Sequence, residues 1–125
     1  KFYCDVLGCE RGNAEFKYPD AWADINFWGN ELTLHATDPN HKSISERHNV
    51  DMGNVTVPHF GVHLDAITFK NLKQRLIDKN IKFIDPPYIR FKGEDIEQET
   101  MFLADPNGNC MEIKTMKNPN TLFKK

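Results

Sequence analysis

Two similar seven-residue phrases occur in this chain, and this repeat constrains the fold more than any other feature of the sequence. The first copy, Gly-Asn-Glu-Leu-Thr-Leu-His, begins at Gly29, and the second, Gly-Asn-Cys-Met-Glu-Ile-Lys, begins at Gly108. Each copy joins a turn signal to alternating apolar residues, which predicts a tight turn that leads into a strand. The chain is therefore predicted to contain two copies of one supersecondary unit.

Alternate side chains of each copy are expected to face the same way, because successive residues of a strand point to opposite sides of the sheet. One face of the second copy carries Glu112 between Cys110 and Lys114. The place of Glu112 is taken in the first copy by Thr33, two residues before His35. The two copies thus carry different functional groups at matching positions of the same predicted strand.

Composition predicts one globular domain, since 125 residues with 39% hydrophobic side chains can bury a single core. A net charge of −2 with interspersed signs argues against a nucleic-acid partner. No apolar run approaches the roughly 18 residues of a membrane span, so no membrane partner is predicted either. Cys4, Cys9 and Cys110 lack Cys-x-x-Cys spacing, which indicates reduced, small buried side chains in a cytoplasmic protein.

The first half of the chain is predicted to hold a short helix and a hairpin. Apolar residues from Phe2 to Leu7 fall at helical spacing, and Gly8 is placed to end that helix. Residues 23–28 and 31–36 are predicted to pair as strands around the first turn. Their polar face is expected to carry Asp24, Asn26, Thr33 and His35. We expect the strand that opens this half to precede Lys1.

Residues 37–57 are polar and show no apolar period, so they are predicted to form an irregular linker or lid between the halves. His41 and His48 in this segment are expected to be solvated.

The second half begins at Pro58 and is predicted to run strand, helix, strand, strand, strand. A β-like stretch from His59 to Asp65 precedes a helix capped by Asp65 or Thr68, with an apolar stripe of Phe69, Leu72, Leu76 and Ile77. Asn80 is expected to end that helix. Further strands are predicted at 81–84, 100–104 and 110–115, with an extended segment at 88–92, a loop at 93–99 and a type I turn at 105–108. The side chains expected to face the helices are Phe27, Leu34, Phe60, Leu64, Phe102 and Ile113.

We expect His59 and Glu112 to be the functional residues, because each lies on the polar face of an otherwise apolar strand. An amphipathic sheet with Glu112 in solvent is the alternative. His63 shares a face with His59, but four residues of strand span about 13 Å, so the two rings cannot bind one ion. We therefore choose His59 as the ligand and expect His63 to be a hydrogen-bonded wall residue.

Three motifs together resemble the vicinal oxygen chelate superfamily, which comprises glyoxalases, fosfomycin-resistance proteins, extradiol dioxygenases and bleomycin-binding proteins. They are Phe2-Tyr3-x-x-Val6-Leu7-Gly8, Pro58-His59-Phe60 and Asp105-Pro106-x-Gly108-Asn109-x-x-Glu112. The resemblance implies an α+β fold of two βαβββ modules that form a cup-shaped, partly open barrel, with the first strand missing from this chain. Module one would cover residues 1–36, the linker or lid 37–57, module two 58–116 and a tail 117–125.

The same resemblance implies a divalent ion bound by His59 and Glu112, with a third ligand, usually His or Gln, from the strand upstream of Lys1. The ion would be Fe, Mn, Ni, Co or Zn, since an imidazole and a carboxylate do not choose among them. Glyoxalase-type enzymes add a carboxylate at the position that Thr33 occupies here, and this departure argues against a glyoxalase I. A homodimer is also implied.

The implied function is that of a lyase or dioxygenase that binds a small, oxygen-rich and possibly anionic substrate to its metal through two oxygens. The alternative is a metal-free binding protein of the bleomycin-resistance type, which the presence of both His59 and Glu112 disfavours. Glu112 and Tyr88 are assigned to catalysis. The residues assigned to substrate binding are Arg90, Lys92, His63, Asn26 and Thr33. The alternative for Arg90 and Lys92 is that they lie on the solvent-exposed face of a hairpin and bind nothing.

Overall fold

The structure is a computed structural model that describes residues 1–38, 40, 47–50, 53–56 and 58–123, with the backbone alone for 47–50 and 53–56. The chain divides into two compact units, Lys1–Lys42 and Ser43–Lys125. The boundaries predicted for the two modules stay a prediction.

The first unit holds a short π-helix, Phe2–Val6, and an antiparallel sheet of three strands in the order β1-β2-β3. The strands are β1 (Glu10–Glu15), β2 (Trp22–Phe27) and β3 (Asn30–His35). The predicted helix is thus present, and the hairpin of β2 and β3 is confirmed. In that hairpin Asp24 lies opposite Thr33 and Ile25 opposite Leu32.

Strand β1 was not predicted, because its sequence is polar and five of its six residues are exposed. It is an edge strand with a bulge between Arg11 and Ala14, and it forms through backbone pairing with β2. Hydrophobic periodicity gives no signal for such a strand.

Residues 37–57 include a second sheet, so the prediction of an irregular segment is wrong in part. Strands β4 (Arg47–Val50) and β5 (Gly53–Thr56) pair antiparallel. The pairing is made by backbone groups, whereas the prediction relied on apolar side-chain period. His41 lies outside the described residues, as does the side chain of His48.

The main sheet of the second unit has the order β6-β9-β8-β7, with β6 parallel to β9 and the other pairs antiparallel. Its strands are β6 (Phe60–His63), β7 (Asp85–Arg90), β8 (Gln98–Ala104) and β9 (Cys110–Met116), and helix α1 (Ala66–Asp78) follows β6. The predicted order of strand, helix and three strands is confirmed.

Helix α1 begins and ends where its local signals indicate. The carboxylate of Asp65 accepts hydrogen bonds from the amides of Ile67 and Thr68 at 3.0 and 2.9 Å. At the other end Asn80 adopts φ 52°, and the amide of Ile81 donates to the carbonyl of Leu76 at 3.0 Å. This is the left-handed helix end that asparagine tolerates. The prediction of a buried apolar stripe is wrong for Ile77, because 49% of this residue is exposed.

The prediction of a strand at 81–84 is wrong, because those residues form no strand and β7 starts at Asp85. Strand β7 overlaps the extended segment predicted at 88–92 and includes Pro86 and Pro87. Proline removes a ladder donor, but β7 is an edge strand and its register is irregular between Asp85 and Tyr88. The loop predicted at 93–99 is confirmed for 93–97, whereas Gln98 and Glu99 belong to β8. The 105–108 turn is also confirmed, since the amide of Gly108 donates to the carbonyl of Asp105 at 3.0 Å.

The main sheet has two different faces. Lys73 of α1 bonds Glu99 of β8 at 2.7 Å, so the odd-numbered residues of β8 face the helix. The helix and this face bury Phe69, Leu72, Leu76, Met101, Leu103, Met111 and Ile113. Phe102 does not belong to this set, contrary to prediction. It lies directly opposite Glu112, so both point to the other side, which we call the site face.

Candidate metal centre in the second unit

The parallel pairing of β6 with β9 brings His59 close to Glu112. Gly61 lies opposite Glu112 in the register, and His59, two residues earlier, shares its side of the sheet. The Nε2 atom of His59 is 3.7 Å from Oε2 of Glu112, and their side chains are only 22% and 17% exposed. The predicted pair thus converges on the site face.

Gly61 is the residue that permits this close approach. A Cβ atom at this position would collide with the backbone carbonyl oxygen of Glu112. A glycine within a strand is typical of a place where two backbones come unusually near. Here its missing side chain also leaves space beside the carboxylate of Glu112.

The second oxygen of Glu112 is held by the protein. Thr100, a completely buried residue of β8, donates its hydroxyl hydrogen to Oε1 of Glu112 at 2.8 Å. Nη1 of Arg90 lies 4.0 Å from the same oxygen. Because Oε1 is engaged on this side, the carboxylate presents Oε2 toward His59.

Phe102 packs against the imidazole of His59. The two rings meet edge to face, with 5.5 Å between their centroids and an angle of 79° between their planes. Such an arrangement is favourable for aromatic rings and limits how the imidazole can rotate. Phe102 therefore forms an apolar wall beside the pair.

A cavity of about 280 Å³ opens beside the pair, lined by His59, Gly61, His63, Glu112 and Lys114 among others. His63 accepts a hydrogen bond at Nε2 from the amide of Met116 at 3.2 Å, which confirms it as a hydrogen-bonded wall residue. Burial lowers the pKa of His63, and the positive charge of Lys114 lowers it further, against an opposing effect of Asp65. His63 is thus held as a neutral imidazole with its proton assigned to Nδ1.

The pair fits a divalent ion. Bonds of about 2.0–2.2 Å from one ion reach two donors that are at most about 4.4 Å apart, and the observed separation is 3.7 Å. The missing Cβ of Gly61 leaves room beside Glu112, and an imidazole with a carboxylate suits borderline metals. No three His, Cys, Asp or Glu side chains converge in the described part of the chain, so a third ligand is not identified.

Arg90 and Tyr88 lie on the site face, and their assignments to substrate binding and catalysis stay predictions. They are opposite Gln98 and Thr100 in the register of β7 with β8, and the hydroxyl of Tyr88 is buried. Lys92 does not share this face. Strand β7 ends at Arg90 and Phe91 adopts φ 53°, so the extended backbone does not continue to Lys92.

Asn26 and Thr33 lie in the other unit, on the exposed face of its hairpin. The side-chain oxygen of Asn26 accepts a hydrogen bond from the amide of Gly29 at 2.8 Å. The hydroxyl of Thr33 donates to Oδ1 of Asp24 at 2.8 Å. Both residues therefore have structural partners within the hairpin, and their assignment to substrate binding stays a prediction.

Sequence reasoning missed three residues of the site. Gly61 carried a readable signal, because a glycine within a predicted strand indicates a close approach of another backbone. Lys114 was placed on the correct face but given no role. Thr100 was not singled out. Its contact with Glu112 depends on the register of β8 against β9, and no local sequence signal gives that register.

Solved structures support the fold. A glyoxalase/bleomycin resistance protein/dioxygenase from Alicyclobacillus acidocaldarius aligns with a TM-score of 0.71 and 28% identity, covering 98% of this chain and 83% of that one. A protein of the same description from Frankia sp. EAN1pec aligns with a TM-score of 0.65 and 13% identity, covering 96% and 82%.

A third structure is a mutant of the fosfomycin resistance protein FosX from Listeria monocytogenes, complexed with Mn(II) and 1S,2S-dihydroxypropylphosphonic acid. It aligns with a TM-score of 0.64 and 14% identity, covering 97% of this chain and 83% of that one. No protein-family model matches this sequence, and no curated protein matches it.

These neighbours are members of the vicinal oxygen chelate superfamily, so the resemblance predicted from the motifs is confirmed. The chain has the glyoxalase-like α+β fold. Within the part of the chain that is described, no helix has the length and apolar character needed to cross a membrane.

Proposed function

We propose that this protein is a metal-dependent enzyme of the vicinal oxygen chelate type, with His59 and Glu112 as two ligands of a divalent ion. The proposal rests on the convergence of the imidazole and the carboxylate at 3.7 Å beside an open cavity. A metal-free binding cup has no physical need to bury such a pair, because a buried charge is costly unless it is used or compensated. The Mn(II) complex of a structural neighbour supports the choice of ion class.

A divalent ion at this place would supply Lewis-acid polarisation of two neighbouring substrate oxygens. Glu112 would bind the ion through Oε2, since Thr100 and Arg90 engage Oε1. Phe102 restrains the ring of His59 and keeps water from that side. Arg90 can pair with a negative substrate group, and Tyr88 can donate a proton or a hydrogen bond from the same face.

We propose a homodimer in the cytoplasm, with free cysteines that agree with a reducing compartment. Sedimentation that shows only monomer over a broad concentration range would contradict the dimer.

The test is metal binding by the wild type and by His59→Ala, Glu112→Ala and Glu112→Gln. Glu112→Gln keeps a hydrogen-bond acceptor for Thr100 and removes the charge, so it separates ligation from packing. We expect each variant to weaken Mn(II) binding at least 100-fold while the thermal midpoint changes little, because ligands at an open cavity contribute more to function than to packing.

His35→Ala and Glu31→Ala are matched controls, since both side chains are exposed in the first unit. Neither should change Mn(II) binding. Full metal occupancy in the His59 and Glu112 variants would contradict the proposal. A wild type that binds none of Fe(II), Mn(II), Ni(II), Co(II) and Zn(II) would instead favour the metal-free binding protein of the bleomycin-resistance type.

A further inference from the structure

We propose that Lys114 binds the anionic end of the substrate, so that the cavity takes a small molecule with a carboxylate or phosphoryl group. This inference rests on the proposed function, in which the substrate reacts beside Glu112. It extends that function by naming the chemical class of the substrate. It assigns a role to a residue that neither the motifs nor the fold singles out.

The position of Lys114 on β9 places it in the same cavity as the proposed metal pair. It follows Glu112 by two residues, so the two side chains share the site face. In the register Lys114 lies opposite His63 on one side and Thr100 on the other. Its side chain lines the 280 Å³ cavity together with His59 and Glu112.

The charge of Lys114 has no ion-pair partner among the residues that the structure describes. The nearest carboxylate along the strand, Glu112, is engaged by Thr100, His59 and Arg90. Lys114 is itself only partly exposed. An ammonium group that lines a cavity and has no counter-charge gains from a bound anion, because attraction strengthens as water is excluded.

The surroundings of Lys114 agree with an anion site. His63, which faces it, is a neutral hydrogen-bond acceptor, and the positive charge of Lys114 contributes to lowering its pKa. A volume of 280 Å³ lies at the lower end of ligand pockets, which favours a compact anion over an extended chain.

The experiment titrates inorganic phosphate, and separately acetate, into protein treated with a chelator, and follows the amide resonances of Gly61 and His63. The variants are Lys114→Met, which keeps the apolar stem, and Lys114→Arg, which keeps the charge. Lys70→Met is the matched control, since it removes the same charge from the exposed side of α1. We expect Lys114→Met to raise the Kd at least tenfold, Lys114→Arg less than threefold and Lys70→Met less than twofold.

The anion that binds more tightly identifies the substrate group as phosphoryl or carboxylate. The inference is overturned if neither anion shifts the resonances of Gly61 and His63, or if Lys114→Met binds both as tightly as the wild type. Mn(II) binding by the same proteins separates this outcome from the proposed function. A wild type that binds no Mn(II) but holds an anion through Lys114 refutes the metal assignment and leaves the anion site standing.

Discussion

The closing hairpins of the two units contain similar seven-residue phrases but differ in what surrounds them. In both hairpins a threonine hydroxyl donates to a carboxylate at 2.8 Å: Thr33 to Asp24 in the first unit and Thr100 to Glu112 in the second. The two partners have exchanged strands. The carboxylate lies on the first strand of the hairpin in one unit and on the second strand in the other.

Burial separates the two hairpins further. Thr33 is exposed and Asp24 is half-buried, whereas Thr100 is completely buried. Glu112 also has a parallel neighbour, β6, which brings His59 to it. The comparison teaches that the repeated phrase provides the strand, while the proposed metal pair also needs a carboxylate on the closing strand and a histidine beside the neighbouring strand.

Gly61→Ala is expected to give the largest effect, because its Cβ collides with backbone that cannot move without separating β6 from β9. We predict a loss of about 3 kcal/mol in the free energy of unfolding, measured by urea denaturation. Gly12→Ala is the counterpart in the first unit, where the new Cβ would lie 3.2 Å from Cβ of Asp24. It should cost less than about 1 kcal/mol. Equal losses would remove the special role of Gly61.

Thr100→Val tests whether the buried hydroxyl positions Glu112. We predict that Mn(II) binding weakens about tenfold, because residues that orient a metal ligand typically contribute that much to affinity. Thr100→Ser should restore wild-type binding, since it keeps the donor. Thr33→Val removes the corresponding hydroxyl in the first unit and should leave Mn(II) affinity unchanged. A Thr100→Val protein with wild-type affinity would show that the hydrogen bond is structural only.

Asp65→Ala probes a difference between the helices of the two units. The carboxylate of Asp65 caps α1, whereas no side chain caps the π-helix of the first unit. Removing this cap is predicted to lower the thermal midpoint by a few degrees, as loss of an N-cap usually does. Asp78→Ala, at the exposed end of the same helix, should change it less. The interpretation fails if both variants melt at the same temperature.

His63 should give the smallest effect, visible as a pH dependence. Its pKa is lowered in the folded state, so the unfolded chain binds a proton more readily just below pH 6.5. Its stabilising contribution is therefore full above pH 6.5 and is lost as the pH falls through the lowered value. The stability difference between wild type and His63→Gln should shrink between pH 7.5 and pH 5.5. A constant or growing difference would contradict this assignment.

The sequence predicted those elements that depend on neighbouring residues along the chain. Helix α1 starts after Asp65 and ends before Asn80, and the contacts of both residues lie within a few positions along the chain. The turn before β9 depends in the same way on Gly108, which adopts φ 89°. Strand β1 and the pair β4–β5 were missed because they form by pairing with other strands and show no apolar period.

The same distinction applies to the candidate site: features within one strand were predictable, and features that depend on pairing between strands were not. His59 and Glu112 follow from alternation along single strands, which a sequence displays. The place of Phe102 and the contact of Thr100 with Glu112 follow from the register of β8 against β9. A shift of one residue in that register would exchange the two faces of β8, so local sequence does not determine them.

Paramagnetic broadening by Mn(II) tests the central claim most directly, since the ion broadens the resonances of nearby nuclei wherever it binds. Substoichiometric Mn(II) is predicted to broaden the amides of Gly61, His63 and Glu112 first, and to broaden none of them in Glu112→Gln. Mn(II) that leaves these resonances sharp in the wild type while broadening those of Asp24 and Thr33 would contradict the claim that the second unit provides the metal pair.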